Sequence, residues 1–257
     1  MFTNNINPIL INFNFLTIRW YGLFLAIGVL IGFFIYKKIW QEKKYNLNLL
    51  YDFLIWFIIG GLIGARLGHI IFYDLSYFLK NPLEIFFINH GGLSSHGLTI
   101  GLFITLNLFI KIKKIDIKKY IDILILPIPL LASFIRIGNF FNSEIIGLPS
   151  NLPWCIYFPK SNLDLVCRHP SQIYESLIAL TIFFICFYAY KKIKHQPYFI
   201  LNLFLLLYFS TRFLVEFVKE RHILFDSLLS MGQLLSIPFI IYSIYWFIKN
   251  KNRKIYS

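Results

Sequence analysis

Residues 120–147 read YIDILILPIPLLASFIRIGNFFNSEIIG. The first half is as apolar as a membrane span, yet it runs into an Arg, two Asn and a Glu. An Arg inside a bilayer costs about 2.5–3.5 kcal/mol even on the lenient insertion scale, so a chain that keeps one there has a use for it. Six other stretches have the same apolar character. With about 20 apolar residues per crossing, the sequence predicts seven spans, near 20–37, 53–73, 94–111, 120–138, 173–190, 198–218 and 229–248. Of the 257 residues, 58% are hydrophobic and 14% charged, and the mean hydropathy is +0.66. A soluble domain of this length cannot hide so much apolar surface. The expected fold is all-α: one polytopic membrane domain over residues 1–257, with a small outer loop or cap at 139–172, where Pro149, Pro153, Pro159 and Pro170 interrupt helix. The first apolar stretch lacks a basic start and an A-x-A site, so it reads as a span and not as a cleaved signal. The aromatic stretch YDLSYFLKNPLEIFFINHGG (73–92) has few charges and is predicted to lie in the headgroup layer.

A net charge of +13 would point to nucleic acid in a soluble protein. Here the basic residues cluster between alternate spans. Lys37, Lys38, Lys43 and Lys44 follow the first span; Lys111, Lys113, Lys114, Lys118 and Lys119 follow the third. Lys191, Lys192 and Lys194 follow the fifth, and Lys249, Lys251, Arg253 and Lys254 form the tail. These sixteen face six on the other side: Arg19, Lys80, Lys160, Arg168, Lys219 and Arg221. The positive-inside rule places the carboxyl terminus in the cytoplasm and the amino terminus outside, so the partner is the bilayer and not nucleic acid.

Arg66, Arg136 and Arg212 fall inside spans, all in the outer halves, with Glu216; Tyr21 and His96 sit at outer span ends. These polar groups are expected to converge at one depth. Arg136 and Asn139 share a helix face at i and i+3, and with Asn142 and Glu144 they suit an anion: a guanidinium binds phosphate bidentately and amides add neutral hydrogen bonds. The plainer alternative is an Arg snorkelling to the headgroups, which does not account for Arg66 and Arg212. Tyr208, Arg212 and Glu216 are spaced by four, which predicts an Arg212–Glu216 pair, and Glu144 or Glu175 is a candidate partner for the other arginines. His96, in HGGLSSHGLTIG (90–101), is either a structural residue at a helix start or a proton acceptor. Cys155, Cys167 and Cys186 form no metal spacing; the first two can pair in an oxidising compartment, though nothing in their spacing demands it. The chain has no GxSxG, HExxH, P-loop or paired-Asp signature, so no nucleophile, metal or cofactor is expected. A transporter for an anionic solute would also use intramembrane arginines, but neither an internal repeat nor a midplane cluster is visible. A different phospholipid-modifying transferase is the second alternative.

Taken together, RIGNFFNSEIIG (136–147), RWYGL (19–23), GARLG (64–68), GGLSSHG (91–97), RHPSQIYE (168–175), YFSTRFLVEF (208–217) and SMGQLLSIP (230–238) resemble, in order, the motifs of the phosphatidylglycerol–prolipoprotein diacylglyceryl transferases. Two positions depart from that pattern: Ile135 stands where the family usually has Gly, and Leu98 follows Gly97 where a second Gly is common. The resemblance implies seven spans in a bacterial inner membrane, with an active site toward the outer leaflet. It also implies transfer of the diacylglyceryl group of phosphatidylglycerol to the lipobox cysteine of a prolipoprotein. Under it, Arg136 and Arg212 stabilise the phosphate that leaves and His96 is the candidate base. Tyr21, Arg66, Asn139, Asn142, Glu144, Gly147, Tyr208 and Glu216 would then bind substrate, with Glu216 orienting Arg212.

Overall fold

A computed structural model describes residues 2–13, 16–87, 91–161, 163–194, 196–219 and 229–251. Arg221, Arg253 and Lys254 of the charge pattern, and residues 88–90 of the aromatic stretch, lie outside the described residues. Among the described residues, seven helices are long and apolar enough to cross a membrane. They are α1 (Trp20–Glu42), α2 (Leu47–Phe72), α4 (Ser95–Lys113), the consecutive pair α5 (Ile121–Ile125) and α6 (Pro127–Phe141), α7 (Ser171–Lys192), α8 (Phe199–Val215) and α9 (Met231–Asn250). A short α3 (Leu75–Lys80) and a 3-10 turn (Pro82–Phe86) occupy the aromatic stretch. The spans carry Ile, Leu and Phe on their outward faces, such as Leu30, Phe34, Ile55, Ile58, Phe103 and Ile241, as lipid-facing helices do. The chain packs as two compact units, one made of residues 1–36 with 118–257 and the other of residues 37–117.

In the smaller unit, α2 and α4 pack through small residues. A Cβ built on Gly64 would stand 2.6 Å from the Gly101 Cα, one on Gly68 would overlap the Gly97 Cα, and one on Gly60 would overlap Thr105. Small residues four apart on both helices let the backbones touch, the membrane alternative to a hydrophobic core. Leu98, the departure after Gly97, packs over Gly61. Asn46 and Ser94 cap the two helices with side-chain oxygens that accept from Asn48 and Gly97, and Lys113 pairs with Asp52 across them.

In the larger unit, Tyr36 donates to the Leu124 carbonyl at 2.6 Å, and Ser133 and Ser176 join α6 to α7 at 2.8 Å. Buried Asp122 accepts from the Leu201 N–H at 3.0 Å, at the first turn of α8, where the helix dipole favours negative charge. Phe209 stacks on Phe239 between α8 and α9. Short strands β1 (Phe2–Thr3) and β4 (Ile156–Tyr157) pair in parallel, and β2 (Ile9–Phe13) and β3 (Leu16–Arg19) antiparallel. None has the length or alternation that a sequence reading recognises as a strand. Between α6 and α7 the long loop is tied down. Cys155 and Cys167 form a disulfide with Cα atoms 5.5 Å apart, and Phe140, Ile146, Ile156 and Phe158 make a small core beside it.

Two outcomes follow from this packing. Gly64→Leu is expected to destabilise by at least the roughly 1–3 kcal/mol of core overpacking, read as a lowered Tm in detergent or loss of accumulation. Gly22→Ala, whose Cβ meets nothing within 4 Å, should leave Tm unchanged or slightly raised. In the thiol test, denatured but unreduced protein should react with maleimide at one cysteine, Cys186, and at three after reduction; three reactive thiols before reduction would disprove the bridge.

Candidate active site

The motif that opened the reading sits where α6 unwinds. Gly138 lets the start of α1 approach, since a Cβ there would stand 3.0 Å from the Tyr21 Cα; Trp20 and Phe24 pack on Phe141. After Phe141 the chain reverses through Ser143 and Ile145, both left-handed at φ 55° and 56°. For β-branched Ile145 that conformation is strained, on the order of 1–3 kcal/mol. The start of α7 holds it: the Ser171 hydroxyl donates to the Ile145 carbonyl at 2.7 Å and the Gln172 amide to the Glu144 carbonyl at 2.6 Å. The reversal returns the Glu144 carboxylate to the helix end, where Asn139 and Asn142 each donate to it at 3.1 Å. Gly147 closes the turn. A Cβ there would lie 2.6 Å from the His169 carbonyl oxygen and 2.7 Å from that of Val218, so the position is glycine because three backbones meet.

Arg136 follows from this scaffold. One Nη donates to Asn139 Oδ1 at 3.3 Å, and Nε lies 3.0 Å from Glu175 Oε2. Of the two acids considered from sequence, Glu175 is therefore its ionic partner. Arg136 and Glu175 line a narrow cleft with Ala132, Ile178, Tyr208 and Arg212. Tyr208 is set by stacking on Phe204.

Among the described residues the Arg212 side chain makes no ion pair or hydrogen bond, so the expected Arg212–Glu216 pair is not formed. The backbone is still helical at Glu216, whose N–H bonds to the Arg212 carbonyl; it is the Glu216 side chain that turns away, as α8 passes into a 3-10 turn, Glu216–Val218. That turn carries Glu216 against Gly232 and to 3.8 Å from Lys219. Lys219, only 8% exposed, also lies 3.2 Å from Glu175 Oε1. By sequence Lys219 is one of the six outer basic residues, and its i+3 spacing from Glu216 is the one local signal of this contact.

Arg66 and His96 belong to the smaller unit. Arg66 is buried, and its five N–H donors meet the carbonyls of Glu84, Ile85, Phe87, Gly91 and Gly92, with Phe78 4.9 Å from the guanidinium carbon. Expected as a substrate ligand, it has its donors engaged by these carbonyls. His96 stands exposed in the first turn of α4, after the Ser94 cap. The structure thus brings Tyr21, Arg136, Asn139, Asn142, Glu144, Gly147, Tyr208, Arg212 and Glu216 to one end of the larger unit, where a guanidinium held by one amide and the Glu175 carboxylate faces a cleft that also contains Arg212.

The chain is similar to known proteins over nearly its whole length. The family model for prolipoprotein diacylglyceryl transferase matches residues 8–249. A phosphatidylglycerol–prolipoprotein diacylglyceryl transferase of Porphyromonas gingivalis is 38% identical, over 96% of this chain and 94% of the relative. One of Chloroherpeton thalassium is 39% identical over 92% and 90%, and one of Bacteroides fragilis 36% identical over 94% and 92%. Seven apolar helices and similarity over nearly the whole chain agree: this chain is a transferase of the prolipoprotein diacylglyceryl transferase family.

Proposed function

We propose that this protein moves the diacylglyceryl group of phosphatidylglycerol onto the lipobox cysteine of a prolipoprotein, the first step of lipoprotein maturation. The observation that carries the reading is the cleft lined by Arg136 and Arg212, which offers positive charge at the end of apolar helices, the pairing that an anionic phosphate headgroup on acyl chains calls for. The setting is the bacterial inner membrane, with the amino terminus and the active site on the outer side. The asymmetry of basic residues supports that placement, and so does the Cys155–Cys167 bridge, since disulfides persist outside the cytosol.

A thioether product requires sulfur to bond to the glycerol carbon. The carbon–oxygen bond to the phosphate therefore breaks, and its electron pair leaves on glycerol phosphate. The thiol proton goes to a base, for which His96 is the candidate; a free thiol has a pKa of about 8.5 and reacts as thiolate. Charge accumulates on the leaving phosphate, where Arg136 and Arg212 act electrostatically, with Asn139 and Asn142 holding the network and Tyr21 and Tyr208 bounding the lipid. Glu144, Gly147 and Glu216 contribute by shaping that end of the unit. Arg66 serves by fixing the loop that precedes His96.

Purified protein given phosphatidylglycerol and a lipobox peptide should form a thioether-linked diacylglyceryl peptide, with little or no product from zwitterionic phosphatidylethanolamine. Equal rates with both lipids would reject the phosphate reading. Arg136→Lys keeps charge but loses the planar fork and is expected to lower the rate about 10²–10³-fold, as for loss of one preorganised contact, while still inserting. For His96→Gln, a base role predicts a residual rate that climbs from pH 6 to 9 (roughly the range around the thiol pKa), because ionised thiolate no longer needs it. A parallel drop at every pH would end that assignment.

A further inference from the structure

Glu175 is shared. Its Oε2 faces Arg136 Nε at 3.0 Å and its Oε1 faces Lys219 Nζ at 3.2 Å. Lys219 reaches Glu216 as well, at 3.8 Å. All of these side chains are largely buried, with 16% of Arg136, 10% of Glu175 and 11% of Lys219 exposed. The charged side chains that line the cleft, with the ion contacts running outward from Glu175 through Lys219 to Glu216, are therefore Arg136, Arg212 and Lys219 against Glu175 and Glu216, a surplus of one positive charge. Glu144 does not alter that balance much, because it is exposed, where solvent screens it, and its carboxylate already accepts from two amides.

We propose that Lys219 is a positioning residue that sets the charge of the site: it takes up half of the Glu175 carboxylate, and so leaves Arg136 cationic toward a single-charged phosphodiester. Without Lys219, Glu175 answers to Arg136 alone and the group sums to zero. An ion pair at low dielectric is strong, and a guanidinium fully compensated by its own carboxylate has little left for a ligand. The Lys219 backbone does separate work, bridging to Gly147, and a side-chain substitution leaves it in place. This inference rests on the proposed transfer reaction and adds to it the group that tunes headgroup binding.

The test measures kcat/KM for phosphatidylglycerol in four proteins that each assemble in the membrane. Lys219→Met should lose about tenfold or more, the scale of one charge-assisted hydrogen bond. Lys219→Arg should restore most of it. The double variant Glu175→Gln/Lys219→Met removes one charge of each sign, returns the surplus to one, and should recover to within about threefold of wild type, a coupling that non-interacting residues do not show. A merely structural lysine predicts the reverse, with the double variant worse than either single change. If wild type itself makes no thioether, the reaction assignment fails and not the charge argument. If wild type is active while Lys219→Met keeps its kcat/KM, or while the double variant recovers nothing, the role of Lys219 is overturned. Should Lys219→Met fail to accumulate, the double variant decides alone: accumulated but inactive, it overturns the proposal.

Discussion

A guanidinium buried among apolar helices has to be held without being neutralised, and the site is organised around that demand on Arg136. Water is excluded, so the charge needs partners. A dedicated carboxylate would satisfy it and also cancel it. The solution here divides the work. Asn139 meets one edge as a neutral acceptor, and Glu175 meets another with a carboxylate it shares with Lys219. The features nearby follow from placing those groups: the left-handed turn at Ser143 and Ile145, the Ser171 and Gln172 bonds that hold it, and the backbone crossing at Gly147. Ile145 shows the cost of the arrangement, since a β-branched residue is kept in a strained conformation by hydrogen bonds from the next helix.

Much of this was legible in the sequence because membrane physics simplifies the code. Seven apolar runs became seven apolar helices, with ends shifted by a few residues. The largest shift is at α2, which begins at Leu47 and not near 53, since its first turns carry Asn48 and Asp52 and look like a loop by hydropathy. A cap at Asn46 and the Asp52–Lys113 pair make those turns helical. Arg136 and Asn139 were readable as neighbours because i and i+3 is a local relation that needs only a continuing helix.

What the sequence hid was non-local or depended on which way a side chain turns. The Arg212–Glu216 pair is not formed because the Glu216 side chain is drawn to Lys219 and against Gly232, contacts that its spacing from Arg212 does not announce. The partner of Arg136 is 39 positions away on α7, so spacing could not choose between Glu144 and Glu175. The cysteine pair was equally open, because twelve positions of separation say nothing until the loop brings the Cα atoms to 5.5 Å. The small-residue contact between α2 and α4 was visible only as scattered glycines, since which of them face a partner is set by the crossing of the helices.

Arg66 and Arg136 show how far residue type is from role. Both are arginines in the outer half of a predicted span, and from sequence both were assigned to the lipid. The difference lies in what surrounds each. Arg66 stands beside residues 84–87 and 91–92, the end of a 3-10 turn and the approach to α4, whose carbonyls are outside any α-helix or strand. Five of those carbonyls converge on its five donors, which settles both the loop and the charge in one interaction. Arg136 stands at the end of a helix whose last turn is closed by Asn139, Asn142 and Glu144, so few backbone acceptors are left for it and its guanidinium turns to side chains along a cleft. An arginine saturated by carbonyls can scaffold a fold but cannot release donors to a ligand without undoing that fold. An arginine held by one amide and a shared carboxylate can exchange partners at small cost, and that is the property the proposed phosphate site would require.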